Sequence, residues 1–388
     1  MTWNLLNFPS QSNLSADTIV RMPCYRTVLN YVNPDIIVTQ EVSGSNTIPI
    51  FLNGVLNRNG NQYSAGTFIN GYDTDNGIFY RTSCFRFLSN TPIETDLRDV
   101  NMFTLVHLSS NDTIRILSCH LKASSGVVNE GLRASETDSI RKFTNALPLG
   151  TDFMLCGDFN FYGSYEPGYQ NLLLADSTTG GNFLDVLAMT GVWNDPAYSF
   201  YHTQSPRVRS FGGGATGGLD DRFDLMLFSA SVVDPGRITY QAGSMTPVGN
   251  DGLHYGDSIN RPPNAIVSQV VADALHCASD HLPVYAEFIF APVIGVEEIA
   301  KEDIELKVFP NPSGNDAMLS CKLAHAMPLT ITVYDEFARV VKILRDENKS
   351  PGIYKKKLAG RGELRAGNYF VRVTISSGEA FSALFTIE

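Results

Sequence analysis

The sequence has no run of eighteen consecutive apolar residues, so no segment is predicted to span a lipid bilayer. Its six cysteines are irregularly spaced and form no C-x-x-C pair, which argues against a zinc module and a small disulfide scaffold. Most of them are expected to be buried thiols, with a Cys119–Cys156 disulfide as the alternative. Charged residues make up only 18% of the chain, while 43% is hydrophobic. This composition is ordinary for a globular protein and excludes a wholly disordered chain.

Acidic residues outnumber basic ones by 40 to 29, and the excess lies in one part of the chain. Residues 304–388 hold 12 basic and 9 acidic residues, which leaves residues 1–303 with a formal net charge of −14. A field of that sign slows encounter with nucleic acid or anionic lipid. It does not exclude a phosphate substrate, because bound divalent cations invert the local charge.

Residues 1–291 contain apolar strand-like runs mixed with a few helical patterns. Runs rich in Val, Ile, Leu and Phe favour an α/β fold whose sheets are covered by helices. Residues 292–303 are predicted to be a linker. In residues 304–388, short β-like runs alternate with turn residues, which is the spacing of a small all-β sandwich. At 388 residues, such a division into domains is expected.

Oxygen donors recur at the ends of the strand-like runs of the first domain. Asn4 begins the first run, Glu41 ends another, and Asp280 precedes a third. Asp158 and Asn160 are two residues apart, so they point to the same side of an extended chain. Carboxylate and amide oxygens of this kind suit Mg²⁺, with Mn²⁺ or Ca²⁺ as alternatives, better than zinc.

Histidines complete this pattern. His281 follows Asp280 directly, His120 ends a strand-like run, and Asp224 lies in a further apolar run. A hard cation neutralises phosphate oxygens, and a histidine paired with a carboxylate manages a proton or a developing charge. Each residue alone is weak support, but together they imply phosphoester hydrolysis.

The first 290 residues resemble the endonuclease/exonuclease/phosphatase superfamily, whose pancreatic-type members are deoxyribonucleases. The motifs that carry the resemblance, in the family order, are Thr2-Trp3-Asn4, Gln40-Glu41, Gly77-Ile78-Phe79-Tyr80-Arg81, Ser118-Cys119-His120-Leu121-Lys122, Gly157-Asp158-Phe159-Asn160, Arg222-Phe223-Asp224 and Ser279-Asp280-His281-Leu282-Pro283-Val284. The resemblance implies a four-layer α/β sandwich, in which two mixed sheets pack face to face with helices outside.

The resemblance also implies roles for the metal and water sites. Asn4, Glu41 and Asp280 match the metal-site positions, with Glu41 as the principal ligand. Asp158 and Asn160 match the pair that positions and activates the attacking water.

On the phosphate side, the resemblance makes His281 the histidine that contacts the scissile phosphate or acts as acid or base. Asp224 matches the carboxylate that orients it, and His120 matches a second phosphate-side histidine. Whether Asp158 or His281 is the general base stays open.

Arg81 and Lys122 are predicted substrate contacts, because a net-negative domain needs local cations to hold an anion. Tyr80 is a further predicted contact, because the resemblance implies that its hydroxyl donates to a phosphate oxygen. Arg133 is interpreted as a solvated surface side chain. The glycine-rich stretch of residues 211–218 is interpreted as a mobile surface loop.

Three later residues, His202, Arg207 and His254, lie in segments similar to one bacterial branch of the superfamily. They are candidate substrate-side residues only if those segments line the site.

Residues 304–388 resemble a type IX secretion sorting domain of the Bacteroidetes, through Val308-Phe309-Pro310-Asn311-Pro312, Ile331-Thr332-Val333-Tyr334-Asp335 and Leu364-Arg365-Ala366-Gly367-Asn368-Tyr369. The resemblance implies export by the type IX machinery to the medium or the cell surface, an export signal having been removed ahead of Met1. An autonomous immunoglobulin-like binding module is the alternative.

The preferred hypothesis is a secreted, monomeric, divalent-metal-dependent phosphodiesterase, and specifically a nuclease, that hydrolyses by in-line attack of water. A phosphomonoesterase or a sphingomyelinase-like phospholipid hydrolase of the same fold is one alternative. A non-catalytic surface binding protein on this scaffold is another, and it predicts a damaged site.

Overall fold

The computed structural model describes residues 1–9, 17–175, 178–291, 306–314, 316–323, 326–337, 339–375 and 380–388. The chain forms two compact units, Met1–Val293 and Ile294–Glu388. The predicted linker, residues 292–303, lies outside the described residues. Within the described ranges, no helix has both the length and the hydropathy needed to cross a membrane.

The first unit contains both strands and helices. Its strands are β1 (Thr2–Phe8), β2 (Ile36–Val42), β3 (Tyr63–Ala65), β4 (Asp75–Arg81), β5 (Phe85–Ile93), β6 (Val100–His107), β7 (Thr113–His120), β8 (Phe153–Asp158), β9 (Asp224–Phe228), β10 (Ile238–Tyr240), β11 (Thr246–Pro247), β12 (Val284–Tyr285) and β13 (Phe288–Phe290). Its α-helices are α1 (Met22–Val32), α2 (Thr47–Phe51), α3 (Val127–Asn145), α4 (Pro167–Leu173), α5 (Ala230–Val233) and α6 (Gln269–Ala278). Short helical turns of other types are Asp17–Arg21, Leu52–Leu56 and Pro196–Tyr201.

These strands form two large mixed sheets. The six-stranded sheet has the order β11-β12-β1-β2-β4-β3, and the five-stranded sheet has the order β5-β6-β7-β8-β9. Each contains one parallel pair, β1 with β2 and β7 with β8, while the other neighbours are antiparallel. Strands β10 and β13 pair separately.

Alternation along the strands explains how the layers stack. In β2, Ile37 faces a core shared with α1 and α6, while the next residue, Val38, faces a core shared with the five-stranded sheet. On the far side of the five-stranded sheet, Leu117 packs in a third core with residues of α3 and α4, such as Ile140 and Leu172. The order is therefore helix, sheet, sheet, helix, and the predicted four-layer α/β sandwich is confirmed.

The cysteines differ from the prediction. Cys24 of α1 and Cys277 of α6 form a disulfide, which joins the two helices on the outside of the six-stranded sheet. Cys119 and Cys156 are buried free thiols. Cys119 packs toward the outer helices and Cys156 toward the inter-sheet core, so the alternative Cys119–Cys156 pairing puts its two thiols on opposite faces of one sheet.

The second unit is an all-β sandwich, as predicted. Its strands are β14 (Lys307–Phe309), β15 (Ala317–Leu323), β16 (Met327–Asp335), β17 (Val340–Lys349), β18 (Gly352–Ala359), β19 (Gly367–Ile375) and β20 (Ala380–Ile387). They form a three-stranded sheet, β14-β15-β18, and a four-stranded sheet, β17-β16-β19-β20. Inward residues of both sheets, such as Leu319 and Val371, share one core.

Candidate active site

The sheet registers place the functional side chains at one edge of the sandwich. In the five-stranded sheet, His120, Asp158 and Asp224 lie side by side on β7, β8 and β9. In the six-stranded sheet, Asn4 pairs with Gln40, the residue before Glu41. The strand ends of the two sheets therefore converge on one cluster of polar side chains, the candidate site.

Close packing beneath the site requires a glycine. Gly157 precedes Asp158 with a φ of +135°. A Cβ at this position would lie 2.0 Å from the backbone oxygen of Cys119. Only glycine allows β7 and β8 to approach closely enough to set His120 beside Asp158.

A buried polar network lies directly under the site, between the two sheets. The Gln40 amide donates to the hydroxyls of Thr2 and Ser118, at 3.0 Å each, and Ser118 donates to Asn76. The Asn76 amide in turn donates to Asn101. Because each of these groups has a partner, the network fixes the register of the two sheets against each other.

Glu41, His120 and Asp158 form the candidate cation site. Each offers one ligand atom, and these atoms all lie within 4.8 Å of one another. Nε2 of His120 is 3.5 Å from Oδ2 of Asp158 and 3.9 Å from Oε1 of Glu41. Two carboxylates and one imidazole fit a hard or borderline divalent cation.

The backbone around Glu41 is unusual. Glu41 has a φ of +54°, and Leu6 and Asn7 of the neighbouring strand also have positive φ. The pairing of β1 with β2 shifts register between Asn4 and Phe8, as in a β-bulge. The result turns the N–H of Asn7 toward Oε2 of Glu41, at 2.8 Å.

Burial makes it energetically costly for Glu41 and Asp158 to be ionised at the same time. Burial raises the pKa of Glu41, which a hydrogen bond from Asn4 opposes and the charge of Asp280 reinforces. Burial also raises the pKa of Asp158, with His281 acting against it and Asp224 and Glu41 acting with it. A bound cation would relieve this cost.

Asn4 links the two carboxylates in a way that differs from its predicted part as a ligand. Its amide nitrogen donates to Oε1 of Glu41 at 2.9 Å and to Oδ2 of Asp158 at 3.1 Å. Its amide oxygen accepts from the N–H of Leu6 at 2.9 Å. In this arrangement Asn4 offers the carboxylates a donor rather than offering an oxygen to a cation.

His281 and Asp224 form a tight buried pair. Nδ1 of His281 lies 2.7 Å from Oδ2 of Asp224, and Nε2 lies 3.7 Å from Oδ2 of Asp158. Burial works against the charged ring, but Asp224 and Asp158 outweigh it and raise the pKa of His281 well above its ordinary value. The raised pKa favours the protonated form of the His281 ring, and Nε2 of that ring points toward the candidate cation site.

Gln204 is a contact of His281 that the sequence reasoning missed. Its side-chain amide lies 2.6 Å from Nε2 of His281. The preceding residue, Thr203, accepts hydrogen bonds from the backbone N–H groups of Phe223 and Asp224. Gln204 belongs to a segment singled out from the sequence, but no local pattern there indicates a neighbour 77 residues away.

Arg98 is a second residue that the sequence reasoning missed. Its guanidinium donates to the backbone oxygen of His120 at 3.4 Å and forms an ion pair with Asp73 at 2.9 Å. The pKa of His120 is lowered well below its ordinary value by burial, then by the charges of Arg98 and His281. His120 is thus neutral, and Nε2 can act as a ligand or a donor.

Asn160 lies beside Asp158, as predicted from their spacing. Its backbone N–H donates to Oδ1 of Asp158 at 3.2 Å, and its side-chain amide donates to the backbone oxygen of Leu121 at 3.3 Å. A φ of +53° turns Asn160 back toward the site.

Asp280 is near the site but engages the glycine-rich stretch. Its Oδ2 accepts from the N–H of Ala215 at 2.6 Å. Gly214 approaches so closely that a Cβ there would lie 2.5 Å from the same oxygen. Arg207 donates to the backbone oxygens of Phe211 and Gly213. The stretch is mostly exposed, as predicted for a surface loop, and these contacts anchor it beside the site.

Tyr80 and Arg81 lie at the opposite end of their sheet. β4 runs antiparallel to β2, so Tyr80 pairs with Ile36, five residues before Glu41. That separation is about 16 Å at the usual rise per strand residue. Arg81 is engaged there by Asp35, at 3.0 Å. The predicted substrate contacts at Tyr80 and Arg81 are thus not brought to the site.

Lys122 follows β7 at the edge of the site, where Nζ donates to the backbone oxygen of Ala123. Arg133 differs from the predicted surface side chain, because it is fully buried and forms an ion pair with Glu166 at 2.7 Å. It also donates to the backbone oxygens of Lys122 and Ser124. Arg133 therefore shapes the loop that carries Lys122.

His202, Arg207 and His254 are buried and serve the loops that carry them. His202 contacts the backbone oxygen of Trp193, and His254 contacts Asp251. Arg207 reaches the backbone oxygens of residues 276 and 277 as well as the glycine-rich stretch. Their part is structural rather than a direct contact with the pocket.

No family model matches the chain, and no curated protein matches it. Among solved structures, it is similar to a humanized TDP2 of D. rerio at 18% identity and a TM-score of 0.47, over 74% of this chain and 97% of that one. It is similar to a mannosyl-6-phosphatase of Bacteroides thetaiotaomicron at 17% identity and a TM-score of 0.47, over 74% and 98%. It is also similar to an endonuclease/exonuclease/phosphatase of Beutenbergia cavernae at 14% identity and a TM-score of 0.45, over 99% and 98%. At these identities the likeness concerns the fold alone.

Proposed function

We propose that the first unit is a divalent-metal-dependent phosphoester hydrolase, and specifically a phosphodiesterase acting on nucleic acid. One observation carries the proposal. The His281–Asp224 pair directs Nε2 into the same pocket in which Glu41 and Asp158 converge, with Nε2 at 3.7 Å from Asp158. A proton-carrying imidazole beside clustered hard donors is the combination that phosphoester hydrolysis needs.

The chain's own residues divide the work on the substrate. Asp224 holds Nδ1 of His281, so that Nε2 can donate a hydrogen bond to a phosphoryl oxygen as negative charge builds up. Asp158 would orient the attacking water from its place in the candidate cation site. Asn160 donates its backbone N–H to Asp158 and so fixes the carboxylate.

Glu41, Asp158 and His120 would hold the metal, with Mg²⁺ as the first choice and Mn²⁺ or Ca²⁺ as alternatives. When bound, the metal supplies charge neutralisation at the phosphoryl and leaving oxygens. Asn4 and the N–H of Asn7 keep both carboxyl groups in place.

The choice among phosphoester substrates follows from charge and surface. The formal net charge of −14 on residues 1–303 works against long duplex nucleic acid and favours short or single-stranded substrates. The sequence of residues 1–303 has no polybasic cluster that would favour an anionic lipid surface, so a phospholipid hydrolase is the weaker alternative. A phosphomonoesterase stays an alternative because the site geometry suits either ester class.

A substrate panel tests the proposal. Bis-p-nitrophenyl phosphate, p-nitrophenyl phosphate, single-stranded and duplex DNA, RNA and sphingomyelin are assayed with Mg²⁺ and with chelator. We expect metal-dependent cleavage of the diester and of single-stranded nucleic acid, abolished in His281→Ala. Faster cleavage of the monoester would select the phosphatase, and inactivity on every substrate would leave the non-catalytic binding protein.

We also propose that residues 304–388 direct export through the type IX machinery, as their sequence motifs suggest. The test places an export signal ahead of the full chain, and ahead of the chain lacking residues 304–388, and expresses both in a bacterium that has this machinery. We expect the full chain in the medium or on the cell surface and the shortened chain in the periplasm. Equal distribution of the two chains contradicts the sorting role and favours a binding module.

A further inference from the structure

The side chain of Gln204 meets the one ring nitrogen of His281 that faces the pocket. The amide lies 2.6 Å from Nε2, while Nδ1 on the other side of the ring is held by Asp224 at 2.7 Å. A neutral ring accepts from the amide nitrogen, and a charged ring donates to the amide oxygen, so the amide serves either protonation state. Both nitrogens of the imidazole are thereby held.

The backbone of Gln204 is fixed from several directions. Its N–H donates to the backbone oxygen of Asp221 at 3.1 Å, and its own oxygen accepts from the N–H groups of Asp220 and Asp221 at 3.0 and 3.1 Å. Gln204 also forms a backbone bridge with His281 itself. The side chain therefore starts from a rigid position and defines where Nε2 points.

From this geometry we infer that Gln204 is a positioning residue for hydrolysis: it holds the His281 ring with Nε2 directed toward Asp158 until a phosphoryl oxygen replaces the amide as the partner of Nε2. The inference rests on the proposed function, because it assigns Gln204 a part in the same reaction. It goes further in naming a residue outside all the motifs that suggested that function. If the imidazole is misdirected, kcat falls while substrate affinity is retained, since the ring acts on the charge that develops in the transition state.

The opposite arrangement gives a different result. If Gln204 merely occupies the place of a phosphoryl oxygen in the resting protein, then removing its amide frees the pocket. Substrate affinity then improves and the turnover number does not fall. The two arrangements therefore differ in the direction in which kcat and KM move.

The experiment compares the full chain with its Gln204→Ala and Gln204→Met variants on bis-p-nitrophenyl phosphate with Mg²⁺. Methionine keeps the length of the side chain and removes both hydrogen-bonding groups, so it covers the case in which alanine impairs folding. Gln62→Met is the matched control, because Gln62 accepts a hydrogen bond from Arg81 at the far end of the sheet. Thermal unfolding and circular dichroism establish that each variant is folded.

We expect kcat to fall by about 10- to 100-fold in the Gln204 variants, with KM changed by less than about threefold and Gln62→Met like wild type. An unchanged kcat, or a lower KM with equal or higher kcat/KM, overturns the inference. An inactive wild-type chain instead refutes the proposed function. Imidazole nitrogen chemical shifts provide a readout that is independent of turnover. The Nε2 resonance of His281 should move in Gln204→Met and should stay in place in Gln62→Met. An unmoved resonance in Gln204→Met also overturns the inference.

Discussion

Nδ1 of His281 lies 2.7 Å from Oδ2 of Asp224, although the two residues are 57 positions apart in the chain. Both side chains are almost fully buried. Asp224 begins β9, and His281 precedes β12, so each of the two packed sheets contributes one member. The pair therefore depends on the sheets being stacked face to face, and the fold and the site form together.

The first prediction concerns this pair. Asp224→Asn should lower kcat by about 10²- to 10⁴-fold, because an amide neither stabilises a charged imidazole nor fixes its tautomer. The side chain keeps its size, so far-ultraviolet circular dichroism should match wild type. Asp221→Asn is the control. Asp221 is a half-buried neighbour, and none of the described hydrogen bonds joins its side chain to His281. Equal activity of wild type and Asp224→Asn would refute the paired role.

The second prediction concerns the cation site. Mg²⁺ should raise the Tm of wild type, because a ligand that binds only the folded protein stabilises it, by about 2.7 kcal/mol at 100 times Kd. Glu41→Gln should remove most of this shift. Asp75→Asn should retain it, since Asp75 is at the same edge of the sheet but its Oδ1 accepts the N–H of Gly71 at 2.7 Å. A full Mg²⁺ shift in Glu41→Gln, measured by differential scanning fluorimetry, would place the site elsewhere.

The third prediction concerns which of two arginines, Arg98 or Arg81, contacts the substrate. Arg98 is 18% exposed and touches the backbone of His120, whereas Arg81 is at the far end of the sheet. Arg98→Ala should raise KM for a phosphodiester by about 10-fold, the size expected for a lost charged hydrogen bond. Arg81→Ala should leave KM unchanged. The reverse outcome in steady-state kinetics would restore the contact that the sequence suggested.

The order of the motifs predicted the fold, and three residues that it singled out, Glu41, His120 and Asp158, lie together for a simple physical reason. His120 and Asp158 end β7 and β8, Glu41 is the last residue but one of β2, and strand ends gather at a sheet edge. The contact predicted for Arg81 rested on the need for local cations and did not take account of strand direction: antiparallel pairing carries that residue away from Glu41. Gln204 could not have been predicted, since it lies outside every strand and meets His281 only after the sheets are packed.

Buried polar groups of α3 were equally invisible in the sequence. Arg133 is expected from the sequence to be a solvated surface side chain, but the buried face of α3 contains Arg133, Glu136 and Arg141 together. Such a face requires partners from other elements, such as Glu166, and no local periodicity shows them. The polar interior of this layer gives the last prediction.

Glu136 should make the stability of the first unit depend on pH. Burial raises its pKa from 4.5 to about 7, which the hydrogen bond from the N–H of Lys122 and nearby cations only partly offset. A carboxyl whose pKa is higher in the folded state favours folding below about pH 4.5 and loses that contribution as pH rises through 7. Glu136→Gln removes the ionisable group, so its free energy of unfolding relative to wild type should increase by on the order of 1 to 3 kcal/mol between pH 5 and pH 8.5. Glu130→Gln, in the first turn of the same helix, should show little such trend in urea unfolding at the two pH values. A difference between Glu136→Gln and wild type that is the same at both pH values would show that Glu136 does not titrate with a raised pKa.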